Sequence, residues 1–208
     1  MEINDLMLLI KDVLGVTDKL YDRQIEENLK DRRIIFNQEV DSGVVEDAIL
    51  HIFKWNQEDK NIPVNERKRI HLYINTNGGD VPSGLSLVGA IRASITPITG
   101  VVLSVAASMG SYIITACHER IAFTDSVVLL HDGQSGVYAS ARKADDTMKY
   151  YKKMDDRCRK ILLETTSLTE EYLDEIADRE TYLFADECKE KGIIDKIIGV
   201  DVDLEYIL

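Results

Sequence analysis

Residues 101–115 read VVLSVAASMGSYIIT. The apolar run narrows to Ala106-Ala107, presents Ser108, and resumes through Met109-Gly110 as a second apolar run. This pattern reads as a buried strand giving way to a buried helix. A hydroxyl between small residues at that junction is what a nucleophile needs, because small neighbours admit a substrate carbonyl and the first N–H groups of a helix have no partner within it. Small residues equally suit a helix packed closely on a sheet, so Ser108 has to be weighed against the rest of the chain.

Upstream, Ile98 to Val105 is the strand that leads into Ser108, and Pro97 closes the unit before it. That unit begins with a strand, His71-Leu72-Tyr73-Ile74-Asn75, which runs into Thr76-Asn77-Gly78-Gly79-Asp80. Paired glycines after a strand let the backbone take positive φ and approach a ligand. A helix follows from Pro82-Ser83, with Leu85, Val88 and Ile91 on its buried face. Further back, Ile34-Ile35-Phe36 is a first strand, and Val45, Ala48, Ile49, Ile52 and Phe53 form the stripe of an amphipathic helix. Asn56 to Arg69, with Pro63 and the cluster Glu66-Arg67-Lys68-Arg69, reads as a solvated connection. Residues 1–31 are charged and weakly patterned, an N-terminal arm ordered against a partner.

Downstream, Arg120 to Phe123 and Val127 to Leu130 are short strands, the second delivering His131. A Gly- and Ser-containing segment, Asp132 to Ala141, precedes a long helix with Ala144, Met148, Tyr151, Cys158, Ile161 and Leu162 at apolar positions. Ser167-Leu168-Thr169-Glu170 fits a capping box for a helix from Glu171 to Arg179. Thr181 to Phe184 is strand-like, Ala185 to Lys191 a short helix closed by Gly192, and Ile193 to Ile198 a last strand. Alternating strands and helices imply right-handed crossovers and an α/β fold with a mainly parallel sheet, whose functional groups sit on loops at strand ends. The Gly78-Gly79 loop and Ser108 both fall there.

With 208 residues and 45% hydrophobic content, the chain can bury the core of one domain. No window approaches the roughly 18 apolar residues of a membrane span, and the start, MEINDLMLLIKDVLG, carries acids where a secretory signal carries Lys or Arg. The cytoplasm is the expected location, without membrane association. A net charge of −12 argues against a nucleic-acid partner, whose binding is driven by Lys and Arg displacing counterions. Cys117, Cys158 and Cys188 are odd in number and widely spaced, and read as reduced thiols. Of four histidines only His131 follows a buried strand and precedes a Gly-containing loop; no pair has zinc-ligand spacing.

Taken in order, Ile34-Ile35-Phe36, Leu72-Tyr73-Ile74-Asn75 with Gly78-Gly79, Ala106-Ala107-Ser108-Met109-Gly110, Leu129-Leu130-His131 and Gly192-Ile193-Ile194-Asp195 resemble the serial motifs of the Clp protease proteolytic subunit family, ClpP. The resemblance runs from about Arg32 to Ile198, giving a protease domain over 32–208 with a handle segment near 132–165. It implies a ClpP/crotonase-like spiral of β-β-α units and a serine endopeptidase, with Ser108 as nucleophile, His131 as general base and an oxyanion hole from the N–H groups of Gly79 and Met109. It further implies an unfolded polypeptide substrate, a homo-oligomer of heptameric rings stacked as a tetradecamer, and an AAA+ unfoldase that would spend the ATP. No metal or organic cofactor is implied. The chemistry suits these residues: a serine becomes nucleophilic when a neutral imidazole takes its proton, and the imidazole then protonates the leaving amine.

The third catalytic member departs from the family. Counting from His131, and backward from Gly192, the family's aspartate position falls on Glu180, one methylene longer, with Asp178 as the fallback. Misplacement by about 1 Å costs on the order of 100-fold, so a glutamate there demands compensation from its surroundings. Asp132 and Asp125 are weaker candidates and read as solvated. His131-Asp132-Gly133 stands where the family continues His-Gln-Pro, which puts the handle geometry and ring stacking apart from the pattern. Together these departures suggest a divergent branch. Two rival readings are a degenerate structural subunit and an acyl-CoA-binding crotonase-type protein; the second is disfavoured because thioester hydration needs carboxylates where this chain offers a serine.

Overall fold

The computed structural model describes residues 19–133 and 136–208. The expectation of an arm over 1–31 falls outside them up to residue 18; beyond that point the chain forms helix α1, Lys19–Lys30. Seven strands among the described residues form one sheet: β1 (Arg33–Phe36), β2 (Ile70–Thr76), β3 (Ile98–Ala107), β4 (Glu119–Phe123), β5 (Val127–Leu130), β6 (Thr181–Phe184) and β7 (Lys196–Ile198). The main path is β1-β2-β3-β4-β7, every pair parallel, while β5 joins β3 in parallel and β6 joins β5 antiparallel. The expected mainly parallel α/β sheet is therefore present, its one antiparallel pair being β5 with β6 among the described residues.

What positions the site is a change of partner along β3. Residues Thr99 to Val102 pair with β4, whereas Val105 to Ala107 pair with β5. Between these runs the β2–β3 register slips, Ile74 facing Val102 but Thr76 facing Ala106, so β3 bulges at 103–105. A bulge kinks its strand and re-aims the residues beyond it. The buried Ser126 hydroxyl donates to the Val102 carbonyl at 2.9 Å and to the Leu103 carbonyl at 3.3 Å, holding the bulge from the turn between β4 and β5. As a result β5 runs beside the last residues of β3, and their ends arrive together.

Helices α2 (Leu50–Asp59), α3 (Val81–Ala93), α4 (Met109–Ala116), α5 (Ala141–Thr165), α6 (Glu170–Glu175) and α7 (Ala185–Glu190) complete the chain. One core holds Phe36, Ile52, Trp55, Leu72, Leu87 and Ile113. On β2 the alternation of period two sends Ile70, Leu72 and Ile74 into that core and Tyr73 to the opposite side. There Tyr73 packs with Val101, Ile121, Ile198 and Ile207, and its hydroxyl donates to the Ile207 carbonyl, so the C-terminal turn Leu204–Ile207 covers the second face.

Several boundaries differ from expectation for physical reasons. A wider π turn, Val45–Ile49, precedes α2 and shifts its phase, so Val44, Ala48, Ile52 and Trp55 are buried while Val45 and Phe53 are exposed. That helix runs past Asn56 to Asp59 because both side chains have inward partners: Asn56 Oδ1 accepts from Ile95 N–H, and Asp59 pairs with Arg32. Thr169, not Ser167, caps α6, its Oγ1 accepting from Tyr172 N–H; the Ser167 amide is engaged with the Lys191 carbonyl. The last strand is only Lys196–Ile198, since the N–H groups of Ile193 and Ile194 turn back to the Cys188 carbonyl. Cys117, Cys158 and Cys188 are buried and free. No helix of the described residues is long and apolar enough to cross a membrane.

Candidate active site

Ser108 lies between the end of β3 and the start of α4 with φ 52° and ψ −119°. A non-glycine residue in such a region stores about 1–3 kcal/mol of strain, which surrounding structure must hold. Its backbone is held on both sides: Ser108 N–H donates to the Leu129 carbonyl at 3.0 Å, and the Ser108 carbonyl accepts from Ser111 N–H at 2.9 Å and Ser111 Oγ at 2.7 Å. The sharp turn also leaves Met109 as the first residue of α4, where its amide has no intrahelical partner.

The Gly78-Gly79 loop packs directly on this elbow. Gly78 has φ 96°, and a Cβ there would lie 2.6 Å from Ser108 Cβ and 3.0 Å from Met109 N. Gly79 has φ 146°, and its Cβ would fall 2.2 Å from the Val40 carbonyl oxygen. Val40 brackets Gly79, donating its N–H to the Gly78 carbonyl at 2.8 Å and accepting from Asp80 N–H at 2.7 Å. Among the described residues the N–H of Gly79 has no acceptor, so it and the Met109 amide are donors available at the elbow. Gly79→Ala is therefore expected to lose about 2 kcal/mol of stability or more, since a backbone oxygen cannot yield to the new Cβ. Gly89→Ala is the control: its Cβ would meet nothing within 4 Å on an α3 face, and thermal melts should show it neutral or up to about 1 kcal/mol more stable.

His131 follows β5. Parallel pairing of Ala107 with Leu129 brings it level with the elbow, and Ser108 and His131 line one cavity of about 210 Å³. Apolar side chains including Val81, Tyr112, Leu130 and Ile176 form its wall, with Asp132, Asp155 and Asp156 also lining it. Burial and the neighbouring Asp132 and Asp156 charges raise the Asp155 carboxyl above its ordinary value. Cys158, the other nucleophile type on this wall, is pushed up to about 11 by burial, so it is a protonated thiol near neutrality. The remaining histidines are engaged elsewhere: His51 stacks on Trp55, His71 on Tyr73, and His118 Nδ1 accepts from Ile98 N–H at 3.1 Å.

Glu180 reaches His131 through sheet register. On β5 and β6, Leu130 faces Thr181; one position further, His131 stands opposite Glu180. Glu180 Oε1 is 3.9 Å from His131 Nδ1, the nitrogen an orienting carboxylate must address, and its Oε2 accepts from the Tyr182 hydroxyl at 2.7 Å. A separation of 3.9 Å is a contact and not a hydrogen bond. Among the described residues no hydrogen bond joins Ser108 Oγ to His131 or His131 to Glu180, so the three side chains are gathered without being bonded in series.

Asp178 is not an equivalent of Glu180. It has φ 59° and lies inside the turn closed by Arg179 N–H to the Ile176 carbonyl, so strand alternation does not carry it to the face of Glu180. Its N–H donates to Asp132 Oδ2 at 2.7 Å. Asp132 is exposed, as expected, and its carboxylate also ties the chain just after His131 to the turn before Glu180; a bond across 46 positions leaves no local mark in the sequence. Asp125 sits in the turn before β5 and does not line the cavity. The described residues contain no cluster of three or more His, Cys, Asp or Glu placed to hold a metal.

Compared with known families, the chain matches the model described as Clp protease over residues 17–201. That span takes in α1, which the motifs alone leave out.

Proposed function

The chain belongs to the Clp protease family, and from that premise we propose that it is a serine endopeptidase in which Ser108 attacks, His131 carries the proton and Glu180 orients His131. The observation that carries this reading is the elbow: a serine held at φ 52° at a strand-to-helix turn, with free backbone amides beside it and an imidazole on the same cavity. As Ser108 Oγ adds to a peptide carbonyl, its proton passes to His131 Nε2, and the oxyanion takes the N–H groups of Gly79 and Met109. His131 then protonates the departing amine, and water repeats the sequence to release the acyl group. Glu180 keeps the Nδ1 proton facing away from Ser108; catalytic contacts of this kind tighten when substrate fills the site.

The substrate is unfolded polypeptide, cut inside a ring assembly in the cytoplasm and delivered by an ATP-driven unfoldase, within a ClpP/crotonase-like spiral fold. Kinship supports the assembly, as does the first half of α5, where Met148 is 52% and Tyr150 49% exposed. A rival reading, a wall subunit that does not cut, draws on the unbonded triad. Intact mass after treatment of the assembled protein with a fluorophosphonate decides between them. One adduct, lost in Ser108→Ala, is expected; no adduct on the wild-type assembly defeats the protease reading. Glu180→Ala should lower kcat by about 100-fold or more and Asp178→Ala by far less, as measured on an unstructured fluorogenic peptide.

A further inference from the structure

Glu180 presents a physical difficulty that the family's aspartate would not. Its side chain is 58% exposed, one methylene longer, and sits at the open end of β6, where water competes for both oxygens and several rotamers are accessible. Yet its carboxylate is turned one way, Oε1 toward His131 Nδ1 and Oε2 toward Tyr182. Tyr182 lies two positions on, so strand alternation places both side chains on one face of β6. The Tyr182 backbone is fixed by pairing with Leu129, whereas the residue is 59% exposed and fills no core space. The Tyr182 hydroxyl makes its bond to Glu180 at 2.7 Å, and the nearby carboxylate pushes the phenol upward, keeping it protonated and a donor.

We propose that Tyr182 is the positioning residue for Glu180: its hydroxyl holds Oε2 and thereby presents Oε1 to His131. The inference rests on the serine-peptidase reading for its kinetic consequence, but its geometric content is independent of that reading. A phenol donating to a carboxylate is a charge-assisted bond, stronger than one between neutral groups. This bond supplies the compensation that a glutamate in this position demands, and loss of its single oxygen frees the longer side chain to rotate into solvent.

The test is Tyr182→Phe, a change at an exposed ring that should leave the thermal midpoint of the assembled protein unchanged. On a fluorogenic peptide the variant is expected to lose about 10-fold in kcat with KM held within about 2-fold. The same change in a Glu180→Ala background should cost nothing more, because a residue acting through Glu180 has nothing left to act on. Crystals of the wild type and of Tyr182→Phe should show one Glu180 rotamer against His131 in the first and a displaced or dispersed carboxylate in the second. Glu180 equally ordered in both crystals overturns the proposal, as does a kcat loss that persists undiminished in the Glu180→Ala background. A wild type without peptidase activity whose Glu180 still depends on Tyr182 in the crystals overturns the peptidase reading and upholds the positioning role.

Discussion

Ser108→Ala is expected to lower kcat on an unstructured peptide by about 10⁴-fold or more, with the fold and the cavity intact. The magnitude follows from the proposed mechanism: without Oγ no acyl-enzyme would form, and only oriented binding and the backbone donors would assist direct attack by water. Alanine keeps the Cβ that already stands in the strained region, so the elbow, with its amide bonded to Leu129, should hold its φ of 52°. Ser108→Gly offers the informative contrast. It should be equally inactive yet about 1 kcal/mol or more stabler, because glycine relieves the strain. Initial rates with urea denaturation of both variants check the pair; more than about a tenth of wild-type activity in Ser108→Ala would place the nucleophile elsewhere.

Asp59→Ala should be the most destabilising of the changes considered, at about 3–5 kcal/mol. Asp59 is 1% exposed at the end of α2 and takes a two-pronged bond from Arg32, with Nη1 to Oδ2 at 2.6 Å and Nη2 to Oδ1 at 2.9 Å. Thr96 Oγ1 adds a third donor at 2.8 Å. Removing the carboxylate leaves a largely buried guanidinium short of its main partner, and Arg32 also anchors α2 to the start of β1 through this contact. The Arg32 bond holds the Asp59 carboxyl below its ordinary value of 3.8. Such a group stabilises fully above its unfolded pKa and loses that contribution as pH falls through the lower folded value. Acid unfolding of the wild type should therefore carry a component below about pH 4 that Asp59→Asn lacks, measurable as denaturant midpoints between neutral pH and pH 2.

The strands carrying His131 and Glu180 were legible because each is a short apolar run between polar turns, and β5 and β6 have the expected limits. Glu180 is implied by the resemblance to the Clp protease family, carried along the chain from His131, and the antiparallel register supplies the physical reason it faces His131. Ser108 could be singled out from its small neighbours, but its positive φ depends on strand pairing that no local window contains. The bulge at 103–105 was hidden for the same cause: its clamp is Ser126, more than 20 positions away, in a turn that reads as a mere separator. Phe53 fits a helical stripe in the sequence but is exposed, since the wide turn at Val45–Ile49 rotates the helix so that Ile52 and Trp55 face the core. The latch from Asp132 to the Asp178 amide and the pair of Arg32 with Asp59 join distant segments, and composition around each suggests only solvated charge.

The bond from Ser108 N–H to the Leu129 carbonyl has a mechanical meaning. It gears the elbow to β5, and the ladder from β5 to β6 gears both to the strand bearing Glu180. Ser108, His131 and Glu180, the residues proposed as attacking group, proton carrier and orienting acid, are thus mounted on one chassis, so a shift of β5 by a single residue would separate His131 from both of the others at once. Such a site is either engaged or disengaged, with little room for gradual detuning.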